Sequence, residues 1–237
     1  MQDNGRVKLT VLMPCRDEEK SVGACVDEAR AFLENTGIIG EVIVVDNCSK
    51  DSSAAVAKEH GARLVREKRI GYGYAIRCGL KVAKGEYIII ADCDMTYELS
   101  DMERILGLLE EGYDLVVGDR FSGRIEKGAM SPVHRAGGMA LSAIARMRFH
   151  VKVNDFHCGI RGIRSGSLNK MKFRTGGMEF ATEMIALASK GGLRITQTPV
   201  TLKKSTADRH SKLRVIRDGI RHITYIILMR PHNNRDR

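Results

Sequence analysis

The sequence predicts an α/β fold: a mainly parallel sheet with helices on both faces. Three observations carry this. Short Val/Ile-rich runs alternate with stretches of helical spacing through the first half of the chain. Those runs are continuously apolar, as strands buried on both faces are, and do not alternate as half-exposed strands do. Three of them are followed at once by polar, acid-containing clusters: Pro14 to Glu18, Asp46 to Ser49, and Asp92-Cys93-Asp94. In open α/β sheets, ligands bind beyond the carboxyl ends of the strands.

In chain order, residues 7–13 read as a strand stopped by Pro14. Residues 18–33 have helical spacing, with Val22, Cys25, Val26, Ala29 and Leu33 on one face. A Val/Ile-rich strand follows at 41–45, then a helix at 49–60 opened by Ser49 as N-cap with Asp51 and Ser52 in its first turn. Residues 62–65 form a third strand, 73–83 a third helix and 87–91 a fourth strand. The second half is less regular: a helix at 99–111, a strand at 114–118, and a loop rich in Gly and charge at 119–130. A helix runs over 131–150, where Ala136, Gly137, Gly138 and Ala140 allow close packing, with a further helix at 179–189 and a strand at 194–202. With no internal repeat or low-complexity linker, residues 1–212 read as one domain. Residues 213–237 read as a basic amphipathic helix and polar tail.

Composition narrows the function. The 237 residues are 43% hydrophobic and 29% charged, ordinary values for a globular chain. The net charge of +10 is not ordinary, and favours nucleic acid, an anionic membrane surface or phosphorylated ligands. With 5% aromatic residues and no Trp, the chain lacks the stacking platforms of a single-strand nucleic-acid binder, so nucleic acid is not an expected partner. Six cysteines with no CxxC pair read as reduced thiols of a cytosolic protein. The first residues have no apolar signal region, and no run approaches the roughly 18 apolar residues that span a bilayer. The expectation is a soluble or peripheral chain.

Among the motifs, Asp92 and Asp94 stand two apart at a strand end, and so point to the same side. Two ionised carboxylates this close repel, which favours a bound cation or a shared proton. Mg²⁺ or Mn²⁺, which prefer oxygen ligands and nucleotide phosphates, would suit them. A solvated turn explains the pair equally well by itself. Asp46 can accept from a nucleobase or a ribose hydroxyl, or merely start a helix. Gly71-Tyr72-Gly73-Tyr74-Ala75 has half of a dinucleotide fingerprint, but Ile76 stands where the third glycine belongs.

Taken in order, these motifs resemble the family 2 glycosyltransferases of GT-A fold. The nearest likeness is to the branch of dolichol-phosphate-mannose and polyprenyl-phosphate sugar synthases. The resemblance continues through Gly118-Asp119-Arg120-Phe121, Gly128-Ala129-Met130 and Asp155-Phe156-His157-Cys158-Gly159-Ile160-Arg161-Gly162. It then takes in Gly177-Met178-Glu179-Phe180-Ala181-Thr182-Glu183-Met184 and Gln197-Thr198-Pro199-Val200, roughly residues 8 to 230 in all. It implies that Glu18 and Asp46 hold the base and ribose, with Pro14, Arg16 and Gly71 lining the donor site. Asp94 becomes the main ligand of Mg²⁺ or Mn²⁺, and Asp92 bridges to ribose or metal. Arg120, Arg135 and Arg161 resemble acceptor-side arginines, and Arg209 with Lys212 could clamp a diphosphate. Asp155 and Glu183 are bases if the acceptor is a hydroxyl, and otherwise orient arginines and sugar. Departures are Asn47 and Cys48, where the family usually has Asp and Gly, and Thr96, where some relatives place a Gln ligand.

The chemistry so implied is inverting, metal-dependent transfer from a UDP- or GDP-sugar to a polyprenyl phosphate at the membrane surface. A soluble family 2 enzyme with a hydroxyl or peptide acceptor, or a nucleotide-sugar-binding scaffold subunit, are the alternatives. Many relatives continue into transmembrane helices. Here residues 213–229 read as an amphipathic helix that could lie on an anionic cytoplasmic membrane face, or pack on its own domain or on a partner subunit. Homo-oligomerisation stays open.

Overall fold

Strands that are apolar on both sides need a helical layer over each face, and the fold is arranged accordingly. The computed structural model describes residues 6–204 and 215–229. Among these, seven strands form one sheet: β1 (Leu9–Cys15), β2 (Gly40–Asp46), β3 (Arg63–Arg66), β4 (Tyr87–Ile90), β5 (Leu115–Ile125), β6 (Arg161–Arg164) and β7 (Ile195–Leu202). Their order is β3-β2-β1-β4-β6-β5-β7. The helices are α1 (Val22–Thr36), α2 (Ser53–Glu59), α3 (Tyr72–Val82), α4 (Met102–Glu110), α5 (Pro132–Phe149), α6 (Phe180–Lys190) and α7 (Val215–Leu228). The runs Leu12 and Met13, Ile43 to Val45 and Ile88 to Ile90 are wholly buried. They form the centre of a core shared by the sheet and its helices.

β1, β2, β3 and β4 are mutually parallel, and β5 is parallel to β7. β6 runs antiparallel between β4 and β5. The chain moves outward from β1 through β2 to β3, then returns to place β4 on the other side of β1. The connections therefore diverge between β1 and β4 and leave a crevice at their carboxyl ends. The clusters beginning at Pro14 and Asp92 lie at that crevice.

Several boundaries differ from those expected. β1 continues through Pro14 to Cys15, whose register partner is Asp46. Pro14 costs no ladder bond toward β4, because β4 pairs with β1 only as far as Leu12. α2 begins at Ser53 rather than at 49, since the Ser49 hydroxyl is bonded elsewhere. β5 extends into the segment expected to be a loop, with a register shift between Asp119 and Arg124. β6 is a strand the pattern did not show. At the start of α5, Ser131 Oγ accepts the His134 N–H at 3.2 Å with Pro132 following, a standard helix opening. The C-terminal helix packs on the domain: Arg148 of α5 donates to the carbonyls of Ile226 (3.3 Å) and Met229 (3.0 Å). Among the described residues no helix is long and apolar enough to cross a membrane.

Candidate active site

One side of the candidate site is built from two loops that lace together. Ser49 Oγ accepts the Asp17 N–H (3.0 Å), and Asp17 Oδ1 accepts the Lys50 N–H (2.7 Å). Ser53 Oγ accepts from Glu18 N (2.7 Å), while Glu19 Oε2 accepts from Ser52 N (3.0 Å). Asp46 Oδ1 accepts the Ser49 N–H at 3.1 Å. This lacing displaces Ser49 from the cap role and holds Glu18 and Asp46, both nearly buried, at adjoining strand ends. Pro14 lies just before them in β1, opposite Val45, and Arg16 is half-buried, 3.7 Å from Asp17.

Asn47 explains itself at the next layer. Its amide donates to the carbonyls of Glu67 (3.0 Å) and Arg69 (2.8 Å), and its Oδ1 accepts the Gly71 N–H (2.7 Å). An aspartate could accept the last bond but could not donate the first two. Asn47 is thus the clamp of the loop that leads into α3. Gly71 ends that loop at φ 153°, and a Cβ there would lie 2.1 Å from the Gly176 carbonyl oxygen, so only glycine fits.

The paired aspartates occupy unequal settings. Asp94 Oδ1 accepts from the Thr96 N–H (3.1 Å) and hydroxyl (2.5 Å). Thr96 therefore orients Asp94 and is not itself presented as a ligand. Asp92, equally half-buried, accepts from the Tyr72 hydroxyl, whose pKa is raised by burial and then by Asp92. Its Oδ2 would be 2.1 Å from a Cβ on Gly159, so this carboxylate fits only because residue 159 has no side chain. Tyr97 braces the same loop by accepting the Gly159 N–H at 2.8 Å. Cys93, between the two aspartates, turns inward and donates to the Pro14 carbonyl at 3.2 Å. Two hard oxygen donors from one strand end fit Mg²⁺ or Mn²⁺. Among the described residues no third His, Cys, Asp or Glu joins them, so a cation there must complete its shell with donor phosphates and water.

Arg120 and Asp155 form the other half. Arg120 donates through Nε (2.6 Å) and Nη2 (2.8 Å) to the two oxygens of Asp155, which also accept the N–H groups of Arg120 (3.3 Å) and His157 (3.1 Å). Asp155 is wholly buried, and the Arg120 side chain is 14% exposed. Burial opposes the arginine's charge, but Tyr97 and Asp155 outweigh it and hold the pKa above the ordinary value. His157 has no hydrogen-bond partner for either ring nitrogen among the described residues. It meets His222 of α7 edge to face, with ring centroids 4.4 Å apart. Burial first, then His222, Arg120 and Arg161, push its pKa well below the ordinary histidine value, so it is neutral.

Two expectations need correcting, and two others fall outside the described residues. Arg161 is not an acceptor-side cation: it is 2% exposed and donates to the carbonyls of Ala181 (2.9 Å), Phe156 (3.5 Å) and Cys158. Glu183 is not placed as a base, because its oxygens accept the N–H groups of Arg174 (2.8 Å) and Thr175 (3.0 Å) and the Thr175 hydroxyl (2.6 Å). It anchors the segment that presses on Gly71. Asp155 takes the second of its two expected roles: both its oxygens are engaged, and it orients Arg120. Arg135 is exposed in the first turn of α5. Arg209 and Lys212 lie outside the described residues. Reading the sequence missed Tyr72, Tyr97 and His222. The only signal for Tyr72 was its place between two glycines at a helix start.

A doubly wound sheet with paired carboxylates at its switch point is the GT-A class of α/β fold. A model described as glycosyl transferase family 2 matches residues 10–172, more than half of the chain, and the chain belongs to that family. It is 32% identical over 225 residues to the low-salt glycan biosynthesis hexosyltransferase Agl6 of Haloferax volcanii, covering 94% of this chain but only 54% of that protein. It is 27% identical to a dolichyl-phosphate hexose transferase of the same organism, covering 84% and 85% of the two chains. Its fold matches glucosyl-3-phosphoglycerate synthase of Mycobacterium tuberculosis, solved with Mn²⁺, UDP and glucosyl-3-phosphoglycerate, at a TM-score of 0.73 and 22% identity. That match covers 94% of this chain and 79% of the synthase chain.

Proposed function

We propose that the protein transfers a sugar, with inversion, from a UDP- or GDP-sugar to a polyprenyl phosphate at the cytoplasmic face of a membrane. One observation carries the choice of acceptor. Asp155 and Glu183, the two carboxylates the sequence offers as bases, are each buried with both oxygens engaged by hydrogen bonds, whereas Arg120 is held as a permanent cation. A hydroxyl acceptor needs its proton removed. A phosphate acceptor is already an anionic nucleophile and needs a cation to bind it. The likeness to a dolichyl-phosphate hexose transferase supports the same acceptor.

In this reading Glu18 and Asp46 receive the base and ribose of the donor, and the Asn47-clamped loop closes over them. Asp94, oriented by Thr96, and Asp92, oriented by Tyr72, would hold Mg²⁺ or Mn²⁺. The bound ion would neutralise charge on the departing nucleoside diphosphate. Arg120, kept rigid by Asp155, grips the acceptor phosphate so that one oxygen faces the anomeric carbon opposite the leaving group. Transfer then needs no proton shuttle.

The test uses the full chain with a panel of nucleotide sugars and Mn²⁺. The donor is identified first by thermal stabilisation, since a ligand at 100 times its Kd adds about 2.7 kcal/mol. The sugar should then pass to a short-chain polyprenyl phosphate and not to the corresponding alcohol or to 3-phosphoglycerate. Transfer to either of the last two without transfer to the lipid phosphate would overturn the reading in favour of a soluble acceptor.

A further inference from the structure

Arg120 stands where the sheet stops holding the chain. β5 and β7 stay in register as far as Asp119 and Pro199 and resume at Arg124 and Thr201, so the residues between bulge out of the ladder. β6 gives no support there, since its register with β5 ends at Val117. Backbone N–H groups that leave a ladder need other acceptors. Two carboxylates supply them. Asp119 Oδ1 accepts from the N–H groups of Phe121 (2.9 Å) and Ser122 (3.2 Å), and Asp155 Oδ2 accepts from that of Arg120 (3.3 Å). The guanidinium fork of Arg120 also ends on Asp155. The place of this cation is therefore set by where Asp119 and Asp155 lie relative to each other.

Asn154 fixes that relation. It precedes Asp155 as Asp119 precedes Arg120, so the two pairs form consecutive rungs between β5 and the loop. Asn154 Nδ2 donates to Asp119 Oδ2 at 3.1 Å. Its Oδ1 accepts from Arg146 Nη1 of α5 (2.9 Å), and its backbone N–H donates to Gln197 Oε1 of β7 (2.7 Å). One exposed residue thus ties β5, α5 and β7 at a single point. Arg146 requires an acceptor and Asp119 a donor, and an amide offers both. An aspartate would meet Arg146 but turn a second carboxylate toward Asp119, which is wholly buried. Among the described residues no other side chain donates to Asp119 Oδ2.

We propose that Asn154 is a positioning residue for the transfer step: it holds Asp119 and Asp155 in their mutual placement and through them aims Arg120. The inference rests on the reading of Arg120 as the cation that grips the acceptor phosphate. It gives an exposed loop side chain an influence on turnover that the nucleotide and metal side of the site does not share.

The experiment uses the full chain and three variants: Asn154→Ala, Asn154→Asp, and Asn154→Asp combined with Asp119→Asn. The last exchanges donor and acceptor across the same bond. Misplacing a reacting group by about 1 Å costs on the order of a hundredfold, so Asn154→Ala should lower kcat at least about tenfold, and Asn154→Asp further. Donor Kd, read by calorimetry with Mn²⁺, should stay within about twofold, since the lost contact serves turnover and not donor binding. The double variant should recover most of the kcat. A second readout needs no acceptor: the Arg120 Nε–H peak in a proton–nitrogen correlation spectrum, assigned by its loss in Arg120→Lys. It should shift or broaden in Asn154→Asp and return in the double variant. Parent-like kcat in both single variants, an unchanged Arg120 peak in both, or a double variant that regains the thermal midpoint without the kcat would each overturn the proposal. The two readings fail separately. A displaced Arg120 peak in a chain whose parent does not use lipid phosphate upholds the positioning role and removes the acceptor reading. Lipid-phosphate transfer with an unmoved peak removes the positioning role alone.

Discussion

The proposed donor and acceptor halves of the site orient their charged groups by different means. Around Glu18, Asp46 and Asp94 the work is done by many single hydrogen bonds: N–H groups and hydroxyls of the same loop and of the facing loop fix each segment. Around Arg120 it is done by burial. A wholly buried carboxylate holds a nearly buried guanidinium through two parallel bonds. The first arrangement tolerates a ligand that comes and goes with each turnover. The second creates a fixed cation whose position depends on its partner and which is costly to leave unpaired. Changes in the proposed donor half should therefore leave stability nearly intact, and changes in the proposed acceptor half should cost both stability and turnover.

The largest expected effect is on the donor side. Asp94→Ala should lower transfer by at least about a hundredfold, the scale of losing an electrostatic group aimed at developing charge. It should also abolish the metal-dependent part of donor binding, measured by calorimetry with and without Mn²⁺, while the unfolding midpoint barely moves. A large loss of stability would break the contrast between the halves.

Arg120→Leu comes next and should behave oppositely. It leaves Asp155 buried without its partner, and should cost about 3–5 kcal/mol in urea unfolding. Adding Asp155→Val should recover most of that stability but none of the transfer. If the double variant is no more stable than the single, the pair is not the structural unit described.

Asn47→Asp should cost about 1–3 kcal/mol, because the carbonyls of Glu67 and Arg69 lose their donors. The donor KM should rise more than kcat falls, since the clamped loop binds but does not react. The smallest effect concerns His157. Its folded pKa is depressed and the unfolded value is 6.5, so below that pH the unfolded chain takes up a proton the folded chain refuses. Its contribution is then fully present above pH 6.5 and is lost as pH falls toward the folded value. Thermal midpoints measured from pH 7.5 down to 5 should fall, and His157→Gln should flatten that slope.

Much of this was readable beforehand, and the failures share a cause. The strands at the centre of the sheet were legible because continuous apolar runs such as Ile88 to Ile90 suit few other settings. β6 was not, because Arg161-Gly162-Ile163-Arg164 has no pattern of its own; bonding to β4 on one side and β5 on the other makes it a strand. Ser49 looked like a cap until a loop from β1 claimed its hydroxyl. Arg161 was placed beside the acceptor because of its position in a motif. Its burial depends on the carbonyls of Phe156, Cys158 and Ala181, which only the folded chain gathers around it. Asn47 looked like a lost charge, and the structure makes it a donor that aspartate could not replace.

By itself, the sequence determined the sheet core, the three acidic strand ends and the order in which they occur. Hydrophobic periodicity and nearest-neighbour chemistry act over a few residues and can be read along the chain. Tertiary structure alone decided which carboxylates are engaged on both oxygens, that Arg161 is a buried brace while Arg120 pairs with Asp155, and that Val133, Ile144 and Met147 of α5 face outward. Each of those depends on groups far apart in sequence, and burial and hydrogen-bond satisfaction exist only once they have been brought together.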